Sequence, residues 1–187
     1  MTKQGSTLTS VTRGRDAGTL WAATGAGRVL VSTNANDAAA GVTFTRIDTA
    51  AQPNRAVSSI YVDPTNPNHA LVTFSGYEVN TPSALGHVFD VVFDPTAGTA
   101  TWTNISYDIG DQPVNDAVLD VATGDSYIST DFAVDRLVKG RQTWIPAADG
   151  MPTATVAGLT LANAKQSGDR LLYAATHGRG AYRLRLK

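Results

Sequence analysis

Short runs of β-branched and aromatic residues recur along the whole chain, each bounded by Gly, Asn, Thr or Asp-Pro. They include Leu20–Thr24, 29–33, Val57–Val62, 70–74, 88–93, 114–121, Arg170–Thr176 and Ala181–Leu186. Apolar runs of this kind between turn residues predict β-strands. No long window places apolar residues at i, i+3, i+4 and i+7, so long amphipathic helices are not expected.

The runs repeat. LWAATGAGRVLV (20–31) is matched by LYAATHGRGAYRL (172–184), with weaker copies at ALVTFSG (70–76) and SYISTDF (126–132). Aligning Thr24, Ser75, Thr130 and Thr176 gives spacings of 51, 55 and 46 residues. Several strands per period of roughly 40–50 residues indicate propeller blades. The expected fold is therefore all-β: a β-propeller of about four four-stranded antiparallel blades over 8–48, 56–106, 114–147 and 155–187, within a single domain. The last unit offers only three strands. Met1–Thr7 is short and a weak β former. An incomplete ring is expected, its further blades supplied upstream or by a second copy.

Turn chemistry carries a family resemblance. Ser32-Thr33-Asn34 followed by Gly41-Val42-Thr43-Phe44 resembles an Asp-box with an insertion. Thr101-Trp102 and Thr143-Trp144 resemble the tails of two further boxes, and VDPTNPNHALV (62–72) the turn between first and second strands. No box is complete. Nearly the whole chain resembles the C-terminal blades of a sialidase-like, BNR-repeat propeller, a group that includes sialidases, oligoxyloglucan hydrolases and sortilin-like receptors. The box residues have structural work: Asn or Asp closes its own turn, and the Trp or Phe fills the space between blades.

Composition narrows the function classes. The 187 residues can bury roughly 70% of their unfolded surface, enough for a core without staples. Net charge is −1 and charged residues make up 17%, which gives no electrostatic basis for nucleic-acid binding. There is no cysteine, and no apolar run long enough to insert in a membrane. Met1–Ser10 has no apolar signal core; an extracellular or periplasmic location is implied by the resemblance, with any signal lying outside this sequence. No phosphate-binding loop, nucleophile elbow or zinc-protease motif occurs, and His69, His87 and His177 lack metal-ligand spacing. No cofactor or metal is expected.

Ligands of such a fold are expected on the face formed by the loops between second and third strands and by the loops between blades. The longest of these, SGYEVNTPSALG (75–86), holds Glu78, the only glutamate of the chain, flanked by Tyr77 and Asn80. Glu78, Asp108 and Asp111 are the candidate catalytic carboxylates, since glycoside hydrolysis needs two facing each other. Tyr77, Asn80, Arg28, His177 and Arg179 are the candidate ligand-binding residues, the two arginines for bidentate contact with an anion. The resemblance implies a carbohydrate- or protein-binding scaffold, with part of a glycoside hydrolase as the alternative.

Overall fold

The structure is a computed structural model and describes residues 7–163 and 168–186. Its strands form four antiparallel sheets, with two 3-10 turns at Ala39–Gly41 and Glu78–Asn80. The first blade holds β1 (Leu8–Arg13), β2 (Leu20–Thr24), β3 (Val29–Ser32) and β4 (Thr45–Arg46). The second holds β5 (Val57–Val62), β6 (His69–Phe74), β7 (Val88–Asp94) and β8 (Thr99–Asn104). The third holds β9 (Val114–Asp120), β10 (Asp125–Thr130), β11 (Val134–Leu137) and β12 (Trp144–Pro146). The fourth holds β13 (Val156–Asn163), β14 (Arg170–Thr176) and β15 (Ala181–Leu186).

The first strands of the blades form the hub. β1 packs on β5, β5 on β9 and β9 on β13, and no packing of that extent joins β13 to β1 among the described residues. The molecule is a β-propeller of four blades. Each junction has its own core. Trp21, Val29 and Val31 meet Ile60, Phe74 and Phe89 between the first two blades. Leu71 and Val88 meet Ile128 and Trp144 at the next junction, and Val118 and Tyr127 meet Leu159 and Leu172 at the last. A strand of a middle blade is covered on both faces, so its alternation vanishes: all six residues of β10 are buried. β1 and β15, at the two ends, keep a largely exposed pattern.

A β-bulge recurs at one end of every hub strand, where Thr24, Phe74, Thr130 and Thr176 pair with Leu8, Val57, Val114 and Val156. The true counterpart of Thr24 in the second blade is therefore Phe74. The alignment of Thr24 with Ser75 is one residue out, because backbone register and not the shared hydroxyl sets the correspondence. Ser75 instead corresponds to Gly25 and His177: their amides donate to the carbonyls of Ala56, Thr7 and Thr155. In this register Trp21, Leu71, Tyr127 and Tyr173 occupy one position of successive blades. The first three are 0%, 1% and 2% exposed under the following blade, while Tyr173 is 38% exposed.

The fourth strands carry the aromatic residues. Trp102 Nε1 donates to the Ile47 carbonyl of the preceding blade at 3.0 Å, and Trp144 Nε1 to that of Ile105 at 2.9 Å. Phe44 has no described blade before it and is 43% exposed. The fourth strand of this blade is only Thr45–Arg46. The Thr43 amide donates to Asn34 Oδ1 at 3.0 Å, and Asn34 Nδ2 donates to the Gly41 carbonyl at 2.9 Å. Asn34 thus draws the preceding residues into a closed turn.

Candidate functional site

The loops between second and third strands and those between blades share one end of the molecule, because the amides of Gly25, Ser75 and His177 tie them together. The loop over 75–86 covers the second blade at that end. Two features meet there: a buried polar network beneath the loop and an open groove beside it.

Arg55 and His87 form the centre of the network, at 5% and 0% exposure. Arg55 donates to the Gly76 carbonyl at 2.6 Å and, through its other terminal nitrogen, to the Gly86 carbonyl. It also lies 3.3 Å from His87 Nδ1. A guanidinium only donates, so Nδ1 accepts and the imidazole hydrogen sits on Nε2. That hydrogen faces Asp111 Oδ1 at 3.2 Å. Burial, with the Arg55 charge beside it, pushes His87 below the ordinary imidazole range. Glu78 folds inward, accepting the Gly86 amide at 2.6 Å, while its own amide donates to Asp111 Oδ1 at 2.7 Å. The carboxylates therefore fasten the loop to the next inter-blade segment.

One ligand atom from each of Glu78, His87 and Asp111 lies within 4.8 Å of the others, which is the spacing of a divalent-cation site. Two facts oppose that use. His87 Nε2 carries the hydrogen rather than a free lone pair, and Arg55 places a positive charge behind the ring. Sequence spacing showed no such grouping. The residues are brought together only by the path of the 75–86 loop over the strand that begins just after it.

The groove lies between the first two blades and has a volume of about 730 Å³. Arg28 and Arg46 stand on the first blade, Gln52 and Asn54 on the inter-blade segment, and Asn80 and Ser83 on the second blade's loop. Arg46 is engaged by Asp48 at 3.1 and 2.8 Å, and Asp48 also accepts the Val29 amide at 2.8 Å. Arg28 differs. Its Nε is buried and unpartnered among the described residues, and so is Asn54 Oδ1. A donor and an acceptor left without partners in one groove are a standing cost of burial, relieved by a polar ligand or water.

The candidates read from the sequence divide accordingly. Arg28 and Asn80 line the groove. Glu78 and Asp111 meet in the network. Tyr77 is 47% exposed beside them. Asp108 does not join them: its Oδ1 accepts the Trp144 amide at 2.8 Å and anchors the third blade's last strand. His177 and Arg179 are exposed on the turn of the fourth blade, two blades beyond the groove, and do not converge with Arg28. Sequence reasoning missed Arg55 and His87, the most buried polar pair of this region. A buried arginine between Asn54 and Ala56 carries no motif; only its position before a hub strand hinted at it.

At the opposite end, Asp63 closes the turn between β5 and β6 by accepting the Thr65 amide at 2.7 Å. His69 Nδ1 lies 2.9 Å from Asp63 and its Nε2 3.1 Å from Asp90. The hydrogen bond to Asp90, reinforced by that to Asp63 and outweighing burial, pushes His69 up to about 9. The imidazolium donates to both carboxylates and pins β6 and β7 to the turn.

No family model matches the chain. No curated protein matches it either. Solved structures do. The extracellular domain of a hybrid two component system of B. thetaiotaomicron is similar over 100% of this chain and 22% of its own length, at 16% identity and a TM-score of 0.64. A second structure of that domain, described as a one component system, matches over 97% and 22%, at 16% identity and a TM-score of 0.60. Raptor of Chaetomium thermophilum matches over 97% and 16%, at 12% identity and a TM-score of 0.65. The chain thus spans about a fifth of the length of these structures and shares with them the β-propeller fold.

Proposed function

We propose that this chain is a binding or scaffolding module of a sialidase-like propeller, working in an extracellular or periplasmic setting and holding a polar carbohydrate- or protein-borne ligand in the groove between its first two blades. The observation that carries the reading is a groove of about 730 Å³ lined by Arg28 and Asn54, whose Arg28 Nε and Asn54 Oδ1 are each buried and unpartnered among the described residues. A polar ligand that draws these side chains toward the groove can accept from Arg28 and donate to Asn54. The Asn34-centred turn and the inward tryptophans support the sialidase-like repeat. The extracellular domains among the structural neighbours support the location.

Calorimetric titration with neutral and acidic oligosaccharides and with glycopeptides tests the reading. Saturable binding that Arg28→Ala and Asn54→Ala each weaken is expected. Binding indifferent to both variants refutes the groove.

A second reading is favoured by one observation. Glu78 and Asp111 present carboxylate oxygens within 4.8 Å of each other, near the separation of about 5–5.5 Å between the carboxyl groups of a retaining glycosidase. Both carboxylates are already committed to backbone amides and His87, which makes binding the stronger reading. Turnover of aryl-sialosides or β-glucan oligosaccharides that disappears in Glu78→Gln reverses that preference.

A further inference from the structure

Each junction between blades sets two equivalent positions near the turn that joins first and second strands. One is the position of Trp21, Leu71 and Tyr127. The other lies two residues beyond Val91, Leu137 and Leu184, which pair with Ala70, Ser126 and Leu172 of the second strands. Phe93, Lys139 and Leu186 occupy it. The first junction brings Trp21 against Phe93, with ring centroids 6.4 Å apart, and Trp21 Nε1 donates to the Pro67 carbonyl at 2.8 Å. The third brings Tyr127 and Leu186 into one apolar cluster. The second junction holds Leu71 and Lys139 at these positions, and there a cavity of about 550 Å³ stands open. A lysine takes the place that its counterparts fill with phenylalanine and leucine.

The walls of this cavity carry opposite charge. Asp90, on the second blade, gives Oδ2 to His69 Nε2 at 3.1 Å, and its side chain is 39% exposed. Asp63 is spent on His69 and on the Thr65 amide. With the imidazolium between two carboxylates, this wall keeps one negative charge. Lys139 and Arg141 line the facing wall, on the turn between β11 and β12, and neither side chain makes an ion pair among the described residues. The stem of Lys139 lies across Gly124, where a Cβ would stand 2.6 Å from its Cδ. Leu119, Val121 and Tyr107 add apolar surface between the two walls. A simple anion meets like charge at Asp90, and a simple cation meets it at Lys139 and Arg141. A ligand bearing both charges on an apolar body complements the whole cavity. Facing sheets stand about 10 Å apart. A free amino acid holds its two charges on one carbon, whereas those of a dipeptide are a further residue apart, about 3.8 Å along the chain, and span more of that gap.

We propose that the cavity between the second and third blades binds a dipeptide with free termini, its ammonium on Asp90, its carboxylate between Lys139 and Arg141, and an apolar side chain against Leu119 and Val121. This cavity lies between other blades than the groove and opens among the turns at the other end of the molecule. It therefore does not rest on the function proposed for the groove.

The test titrates the full chain by calorimetry with L-leucyl-L-leucine, with its N-acetyl and its C-terminal amide forms, and with free L-leucine. Saturable binding of the dipeptide is expected. Each blocked form is expected to bind about fivefold weaker or more, the worth of one partly exposed charge pair, and free leucine weaker than the dipeptide. Arg141→Gln, on an exposed turn, is expected to weaken the dipeptide and to shrink the difference that amidation makes. Lys139→Phe copies the first junction, fills the cavity and is expected to abolish binding, with urea unfolding as the check that the chain is folded. Four results overturn the proposal: no binding of the dipeptide, equal binding of free and blocked forms, an effect of amidation unchanged in Arg141→Gln, or binding that survives in folded Lys139→Phe. Arg28→Ala in the same titrations is expected to leave the dipeptide unaffected; loss of binding there assigns the dipeptide to the groove and also overturns the proposal.

Discussion

Arg55 stands 3.3 Å from His87 Nδ1, with its two terminal nitrogens also on the carbonyls of Gly76 and Gly86, the two ends of the loop that walls the groove. One buried cation thus holds a whole loop by its backbone. Truncation leaves two buried carbonyls and a ring nitrogen without a donor. Arg55→Met is expected to destabilise the chain by about 3 kcal/mol, measured by urea unfolding, and to weaken any ligand of the groove.

Acid acts on the same pair. The folded pKa of His87 is held below its unfolded value near 6.5, so the unfolded state binds the proton more readily. The stability contributed by a neutral buried His87 is full above that value and is lost as pH falls below it. Unfolding midpoints are expected to drop on acidification from pH 7 to 5, and His87→Asn to flatten that part of the profile.

His69 has the reverse sign. Its folded pKa is raised to about 9, so its stabilisation is complete below about pH 6.5 and disappears as pH rises through the folded value. The Asp90 side chain is 39% exposed, and solvent screening limits the effect to about 1–2 kcal/mol. A loss of that size between pH 7 and 10, absent in His69→Gln, is the expected outcome in thermal melts.

Trp144 and Trp102 separate hydrogen bonding from packing. Trp144 is 8% exposed and donates to Ile105. Trp144→Phe keeps most of the ring and orphans the carbonyl, with an expected cost of about 1–2 kcal/mol. Trp144→Ala also opens a cavity between blades and is expected to cost about 3–5 kcal/mol. The more exposed Trp102 should show the same order with smaller values, read from denaturant midpoints.

Gly27 sets the backbone of the groove's first wall. Its φ is +73°, and a Cβ there meets the Pro53 carbonyl and stands 2.8 Å from that of Arg55. Gly27→Ala is strained both by conformation and by contact with rigid backbone. A loss of about 2–3 kcal/mol is expected, together with weakened binding in the same titrations that test Arg28.

Most of the fold was legible along the chain because strand pattern and turn chemistry are local. Val57–Val62 and Arg170–Thr176 announce themselves by residue type, and Asp63 and Asn34 close their own turns. Register was less legible. Phe74 replaces Ser75 as the counterpart of Thr24 because a β-bulge counts backbone pairs, and side-chain likeness does not. The site was legible in parts: Arg28, Asn80, Glu78 and Asp111 stood out as polar residues on long loops. Their separation into a groove pair and a network pair did not, nor did the roles of Arg55 and His87.

What the sequence determined by itself was the repeat: how many sheets, which residues turn between them, and the packing of Trp102 and Trp144 at the junctions, whereas Phe44 stands exposed. These follow from short-range hydrogen bonding and from short runs of β-branched and aromatic residues between turn residues, which neighbours in the chain suffice to specify. The tertiary structure alone decided which polar groups meet. Glu78 and Asp111 are 33 positions apart and Arg55 and His87 are 32 apart. Their contacts depend on how one blade's loop lies over the next, and that is settled by packing among distant residues.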